Sequence, residues 1–388
     1  GTDPAIIYVA TAPLPLGVDE LSLAGFINNR PVELTKCITI DLEVPKNAEI
    51  ILEGYVDPSE KRIEGPFGDH TGYYSLADEY PIFHLTAITH RKNPIYVTTI
   101  VGKPPMEDCY MGKATERIFL PLLQKIHPEI IDYNLPWEGV FHNCVIVSID
   151  KRYPAQAKKI MSALWGAGQM AFAKMILIVD SDINVADYNA VARRALSTIN
   201  ISSDLQLSKG ILDVLDHSSP TANHGYKIGV DATRKFKEEI GVTPNNLDGD
   251  ATLFSSIATK LDFVNSCTIP YTDLKNRLAI ISIKKSEPLD GINFGKQLVD
   301  SDHDSINIFL ILDSHVDSSD YSVALWKLFN NVDPKIDMIH YKNRLIIDAT
   351  MKFKEEGHPR EWPDEIVMDQ DIVELVNRKW SKYNIGGK

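Results

Sequence analysis

The feature that most limits what this chain can fold into is a nine-residue segment that occurs twice. Asp231-Ala-Thr-Arg-Lys-Phe-Lys-Glu-Glu239 and Asp348-Ala-Thr-Met-Lys-Phe-Lys-Glu-Glu356 share eight of nine residues. Other matched pairs precede them in the same order: Cys144–Ile149 with Leu278–Ile283, Ile176–Ser181 with Phe309–Ser314, and Asp187-Tyr188 with Asp320-Tyr321. Ordered self-similarity of this kind implies a duplicated unit. Each copy reads strand, helix (155–165 in the first), strand, helix (187–197), then a β-rich return, a pattern that implies mainly parallel sheets flanked by helices. Only the first copy carries the long insert Asp216-His-Ser-Ser-Pro-Thr-Ala-Asn-His-Gly225. Because ligand sites are built from loops on a scaffold, the first copy is expected to face a ligand and the second to be structural.

Upstream of the repeat the chain is β-rich. Ile6–Val9, Ile50–Leu52, Phe83–Thr89 and Ile95–Ile100 are short β-branched runs between Gly, Pro, Asn and Asp, suggesting a sheet or barrel. Asp19–Phe26 reads as a helix with Glu20 in its first turn. From Lys113 to His127, Ile118, Leu122 and Ile126 recur at helical spacing with Glu116 and Gln124 opposite, as expected of a linker helix. Pro128 and Pro136 bracket the main boundary, giving segments 1–112, 113–140, 141–260 and 261–388. The chain closes on an amphipathic helix, Ile372–Tyr383, with Val373, Val376 and Trp380 on one face.

Composition narrows the class. With 44% hydrophobic and 24% charged residues the chain is an ordinary globular protein, and its net charge of −13 argues against a nucleic-acid partner. Cys37, Cys109, Cys144 and Cys267 are scattered without a CxxC pair, so no zinc or disulfide framework is expected and a reducing cytoplasm fits. No apolar run reaches the roughly 18–20 residues of a membrane span.

Chemistry concentrates in Glu64-Gly-Pro-Phe-Gly-Asp-His-Thr-Gly-Tyr-Tyr74. Glycine and proline let the backbone approach a ligand, while Glu64, Asp69 and His70 can move protons; a solvated hairpin would read the same way by spacing alone. The order of residues is more specific. It resembles the signature of the UbiD-type decarboxylases, as do Pro13–Gly25, Asp41–Gly54, the Val101–Pro105 turn, Asp180–Asn184 and Gly229–Thr233.

That resemblance implies an α+β protein, with a β-rich split-barrel flavin-binding part followed by the duplicated α/β unit. It implies non-oxidative removal of carbon dioxide from an aromatic or α,β-unsaturated acid, the polyprenyl-4-hydroxybenzoate of ubiquinone biosynthesis being the best-known type. The cofactor would be prenylated flavin mononucleotide (FMN) supplied by a flavin prenyltransferase, with Mn²⁺ and K⁺ beside its phosphate, in a homo-oligomer. It also implies that the chain opens inside the flavin-binding domain, so that an upstream arginine and further metal ligands are missing and this chain alone is inactive. Competing readings are a flavin split-barrel oxidoreductase and a silent assembly module.

Residue by residue, the resemblance makes Glu64 and Asp69 catalytic, with Asp69 the proton donor. A carboxyl in that role is expected to have a raised pKa. Glu20 becomes the metal ligand, although a first-turn glutamate is favoured by the helix dipole in any case. Thr11, Ala12 and Pro13 would pass beside the flavin. Lys174 would meet its phosphate, and the second copy has Asn307 there. His70 suits either a relay or a hydrogen-bonded turn, and His217, His224, His303, His315 and His340 read as surface histidines in polar loops.

Overall fold

A computed structural model describes residues 1–12, 14, 17–240 and 247–385. The chain opens with α1 (Pro4–Ala10) and α2 (Glu20–Asn28), then β1 (Leu34–Lys36), β2 (Glu43–Pro45), β3 (Ile50–Glu64), β4 (Phe67–Gly68), β5 (Tyr74–Ser75) and β6 (Asp78–His90). The expected strand at Ile6–Val9 is therefore a helix. Asp3 caps it by accepting from the Ala5 N–H at 2.9 Å and Pro4 occupies its first position, so the start signal overrides the β-branched run. Residues 95–100 form no strand either. The Ile95 N–H is taken by the Glu49 carboxylate at 3.1 Å. What regular sheet this region has is three antiparallel pairs, β1–β2, β3–β6 and β4–β5.

Next come α3 (Glu107–Ile126), β7 (Ile130–Asn134), β8 (Cys144–Ile149), α4 (Gln156–Trp165), β9 (Met175–Asp180), α5 (Tyr188–Thr198), β10 (Leu205–Ile211) and β11 (His224–Asp231). Helix α3 lies where a linker helix is expected, but with its face reversed. Glu116 is buried, held by Lys113 at 2.9 Å and the Leu135 N–H at 2.7 Å, while Leu122 and Ile126 are exposed. A carboxylate with two such partners outcompetes the apolar stripe for the inner face.

The remaining elements are α6 (Ala251–Ala258), β12 (Val264–Thr268), β13 (Leu278–Ile283), α7 (Asp290–Ser301), β14 (Ile308–Asp313), α8 (Tyr321–Asn331), β15 (Met338–Tyr341), β16 (Arg344–Asp348) and α9 (Gln370–Lys379). The two sheets run β10-β11-β9-β8-β7 and β12-β13-β14-β16-β15. In each, three central strands are parallel and both edge strands antiparallel, so the sheets are mixed where mainly parallel ones were expected. The first sheet takes β7 from the stretch expected as linker. The matched sequence segments occupy equivalent strands.

Side-chain alternation sorts the apolar residues into layers. Cys144 and Ile146 of β8 and Ile308, Leu310 and Leu312 of β14 enter one core shared by both sheets. Val145, Val147 and Ile149 face away under α4, and Phe309 and Ile311 face away under α6 and α7. The second sheet is thus packed on both faces.

The doubled nine-residue segment builds the same buried ionic network twice. Thr233 and Thr350 donate to the carboxylates of Asp231 and Asp348, and Lys235 and Lys352 donate to the carbonyls of those aspartates at 2.6 and 2.7 Å. Lys151 holds Glu239 at 2.6 Å, and Lys285 holds Glu356 at 2.8 Å. Glu239 and Glu356 each then take a loop N–H, from Ala155 and Leu289 respectively.

Removing the cation from a buried pair strands its carboxylate. Lys285→Ala should lower the unfolding free energy by about 3–5 kcal/mol, and Lys151→Ala by a similar amount. Urea denaturation of the two variants beside wild type measures both; losses under about 1 kcal/mol would show the networks to be solvated.

Candidate functional site

Glu64 ends β3 opposite Asp78, and the β4–β5 hairpin carries the following loop back on itself. The Asp69 and Gly72 N–H groups donate to the Tyr73 and Asp69 carbonyls at 3.2 and 3.1 Å. Gly72 has φ +84°, and a Cβ there would lie 2.9 Å from both Lys103 and the Trp326 ring, so the turn requires glycine.

The loop is then pinned from the second sheet. Tyr73 is buried, stacked on Trp326 at 4.8 Å between ring centroids and tilted on His217 at 4.3 Å. Its hydroxyl donates to Asn331 Oδ1 at 2.8 Å and accepts from Lys327 Nζ at 3.2 Å. Burial holds that hydroxyl's pKa well above its usual value, so it stays protonated. Trp326 Nε1 donates to the Thr71 carbonyl at 2.8 Å, and the backbone of 72–74 pairs with that of 364–366 through two bonds of 2.9 Å. The second unit, expected to be structural alone, thus holds the loop that carries Asp69.

Asp69 Oδ1 accepts from the His70 backbone at 2.7 Å and lies 2.9 Å from its ring Nδ1. The His70 hydrogen bond, against the opposing effect of burial, holds Asp69 below the usual carboxylate range. The raised pKa expected of a resident proton donor is therefore not what the loop provides. Glu64 is exposed while Asp69 is half-buried, so the two acids do not share one buried environment. Beyond His70 lie Phe141 and His142, with ring centroids at 5.6 and 5.5 Å. His142 Nε2 is 3.8 Å from Asp213 Oδ1, and burial pushes the His142 imidazole down to about 4 against the pull of Asp213. Asp108, also near His70, is raised by burial.

Lys174 is fully buried. Its ammonium donates to Asp216 at 2.7 Å, Ser218 at 2.9 Å and the Asn330 carbonyl at 3.4 Å. Its three hydrogen bonds are thus all made within the protein. Burial works against the Asp216 charge, but Lys174 outweighs it and brings the carboxyl to about 2. His217 is likewise no surface histidine. Burial lowers it to about 3, its Nε2 meets Asn331 Oδ1 at 3.1 Å, and its carbonyl lies 2.7 Å from His358 Nε2. Arg360 donates to the carbonyls of Asp216 and Ser219 at 2.8 and 3.0 Å. Much of the insert is a buried strap between the two units, because its polar backbone finds partners there.

Thr11 caps the end of α1 with its side chain exposed, and Gln169 donates to its carbonyl at 3.0 Å. Ala12 packs with α1 and α2, and Pro13 lies outside the described residues. Glu20 is exposed at the start of α2, behind the Asp19 cap. Its carboxylate suits a hard cation, but among the described residues no group of three or more His, Cys, Asp or Glu converges to complete a site.

Sequence reasoning missed His142. The usable signal was the one applied to Lys174: one copy has a titratable residue where the other does not. By strand register, His142 and Lys174 of the first sheet stand where Asn276 and Asn307 stand in the second.

The model of the 3-octaprenyl-4-hydroxybenzoate carboxy-lyase Rift-related domain matches residues 1–104, and that of the C-terminal domain of the same enzymes matches 109–232 and 250–357. The chain belongs to the UbiD family. Among curated relatives, a protein of Archaeoglobus fulgidus is 56% identical over 62% of this chain, and one of Helicobacter pylori strain J99 is 39% identical over 98% of it. This UbiD-family chain covers 50% and 61% of those two proteins. Among solved structures, the UbiD-class enzyme HmfF from Pelotomaculum thermopropionicum in complex with FMN aligns over 63% of this chain and 55% of its own, at TM-score 0.55 and 31% identity. Vanillic acid decarboxylase from Sedimentibacter hydroxybenzoicus in its closed form aligns over 67% and 56%, at TM-score 0.58 and 25% identity.

The buried histidines set an acid sensitivity. His142 and His217, held neutral in the fold, bind protons only below about 4 and about 3, whereas the unfolded chain binds them from near 6.5. Stability should be unaffected by these groups above pH ~6.5 and fall by several kcal/mol as pH drops toward 4. Denaturant midpoints measured from pH 7.5 to 4.5 test this, and His217→Gln should flatten the slope.

Proposed function

We propose that the protein is a non-oxidative decarboxylase of an aromatic or α,β-unsaturated carboxylic acid, of the polyprenyl-4-hydroxybenzoate type, that works with prenylated FMN supplied by a flavin prenyltransferase. What carries the reading is the Asp69–His70 pair, a carboxylate and an imidazole 2.9 Å apart on a loop clamped from a second structural unit. A proton donor to carbon needs fixed placement and a partner that restores its proton, and this pair has both.

When bound, the flavin supplies the electron sink for the charge left as carbon dioxide departs. Asp69 then delivers the proton to the carbon that lost the carboxylate. Glu64, at the end of β3, acts beside it on the open side of the loop. Thr11, Ala12 and Pro13 line the flavin. Glu20 would contribute one carboxylate to a bound Mn²⁺, a hard cation that takes oxygen ligands.

In the active holoenzyme, Asp69→Asn keeps the shape of the side chain and removes its proton. The variant should lose about 10²–10⁴-fold in kcat for decarboxylation, and Glu64→Gln a comparable amount, with the fold intact by circular dichroism. Carbon dioxide release from a panel of aromatic acids measures both. Retention of more than about a tenth of the wild-type rate in both variants would end this assignment.

The protein is further proposed to be a homo-oligomer. Helix α9 leaves Trp380 exposed and only half-buries Val373 and Val376, an apolar stripe suited to a two-fold contact. Removing residues from Asp371 onward should lower the mass seen by light scattering at tens of micromolar. A wild-type monomer would refute the proposal.

A further inference from the structure

A donor that is ionised at rest has to be recharged in every turnover. Decarboxylation consumes one proton from solvent, RCOO⁻ + H⁺ → RH + CO₂, and that proton must pass through Asp69. Its immediate source is legible in the loop, because His70 Nδ1 is 2.9 Å from Asp69 Oδ1. What stands behind His70 is His142, which comes from the residues leading into β8.

Hydrogen-bond directions fix the state of His142. Asn330 Nδ2 on α8 donates to the carbonyls of Glu138 at 3.1 Å and Trp326 at 2.8 Å, so its Oδ1 must face the other way. There it accepts from Asn143 Nδ2 at 2.9 Å. Asn143 Oδ1 is consequently turned to His142 Nδ1, 3.1 Å away, and an acceptor there requires the proton on Nδ1. Nε2 is left with its lone pair. It is buried with no hydrogen-bond partner, 3.8 Å from Asp213 Oδ1, and its ring stands edge-on to His70. Burial keeps that lone pair unprotonated at rest, and the nearby Asp213 carboxylate offsets part of the cost of a proton held there in passing. Asp213, about a quarter exposed, opens the path to solvent.

We propose that His142 is a proton way-station that recharges Asp69 through His70, and that the Asn143–Asn330 pair, reaching from the second sheet's α8, sets its tautomer. The inference rests on the decarboxylase reading for its purpose and on hydrogen-bond directions for its state. A solvent proton arriving beside Asp213 binds His142 Nε2. It passes to His70, whose ring packs edge-to-face against that of His142 with centroids 5.5 Å apart. His70 releases its Nδ1 proton to Asp69, and Asp69 gives it to the product carbon. Each site ends the cycle as it began, and no oxidant or reductant is needed. The other charged groups felt by His142 are His70, which opposes its protonation, and Asp216 and Lys174, which neutralise one another as an ion pair and leave Asp213 as the local counter-charge. Acting only through His70, His142 is a positioning residue.

Two measurements on the holoenzyme test this separately from the decarboxylase reading. First, ¹⁵N NMR of histidine-labelled protein at pH 7 should show His142 as the Nδ1–H tautomer, with that preference lost in Asn330→Leu. An Nε2–H tautomer in wild type overturns the inference whether or not the protein decarboxylates anything. Second, His142→Gln should lower kcat at least tenfold with KM within twofold, and added imidazole should restore much of the loss. A kcat within twofold of wild type, or a loss that imidazole leaves untouched, overturns it. Failure of Asp69→Asn to slow the reaction instead tells against the decarboxylase assignment, while the tautomer still decides the inference.

Discussion

The contact on which the site depends is the packing of Tyr73 between Trp326 and His217. Tyr73 belongs to the loop that carries Asp69, Trp326 to α8, and His217 to the insert of the first unit, so one buried ring joins three separately built parts. Each polar atom around it is satisfied in one direction only. Asn331 Nδ2 donates to the Ala349 carbonyl, leaving its Oδ1 to receive both the Tyr73 hydroxyl and His217 Nε2. Buried polar networks that are fully paired specify a single arrangement, and here that arrangement sets where the carboxylate of Asp69 stands.

The two sheet units share a scaffold and differ in what they do with its polar positions. Before the second and third strands the second unit has Asn276 and Asn307, bonded to each other, where the first has His142 and Lys174. An uncharged pair needs only its own hydrogen bonds. A buried lysine needs a counter-charge, and Asp216, which supplies it, lies in the strap of the first unit, which the second unit lacks. The insert and Lys174 are therefore one change, because the buried ammonium and the buried carboxylate of Asp216 each need the other.

What the sequence disclosed follows from this. Strands β8, β9, β13 and β14 were legible within a residue because a strand buried on both faces is a bare apolar run. The helix start at Asp187, which caps α5, and the doubled nine-residue segment were legible because the matching stretches recur in the same order. The helix at Pro4–Ala10 was hidden behind β-branched residues although Asp3-Pro4 announced it. The inward turn of Glu116 and the burial of Lys174 depend on partners 19 and 42 residues away, and the Tyr73 clamp spans more than 250. No periodicity reports contacts of that separation. Glu64, Asp69 and His70 were recognised from the order of their residues, but the direction of the Asp69 pKa shift was not, since it comes from the rotamer of the neighbouring imidazole.

The apolar layer held in common by β8, β9, β14 and β16 has an effect on how the molecule can come apart. Neither sheet owns a complete interior: each supplies one wall of the same room. A tandem pair of independent repeats could lose one member and keep the other, whereas here opening either unit wets the inner wall of its partner. The two should melt as one body, and a side chain exchanged deep in the second sheet can tilt α8 and be felt at a histidine in the first.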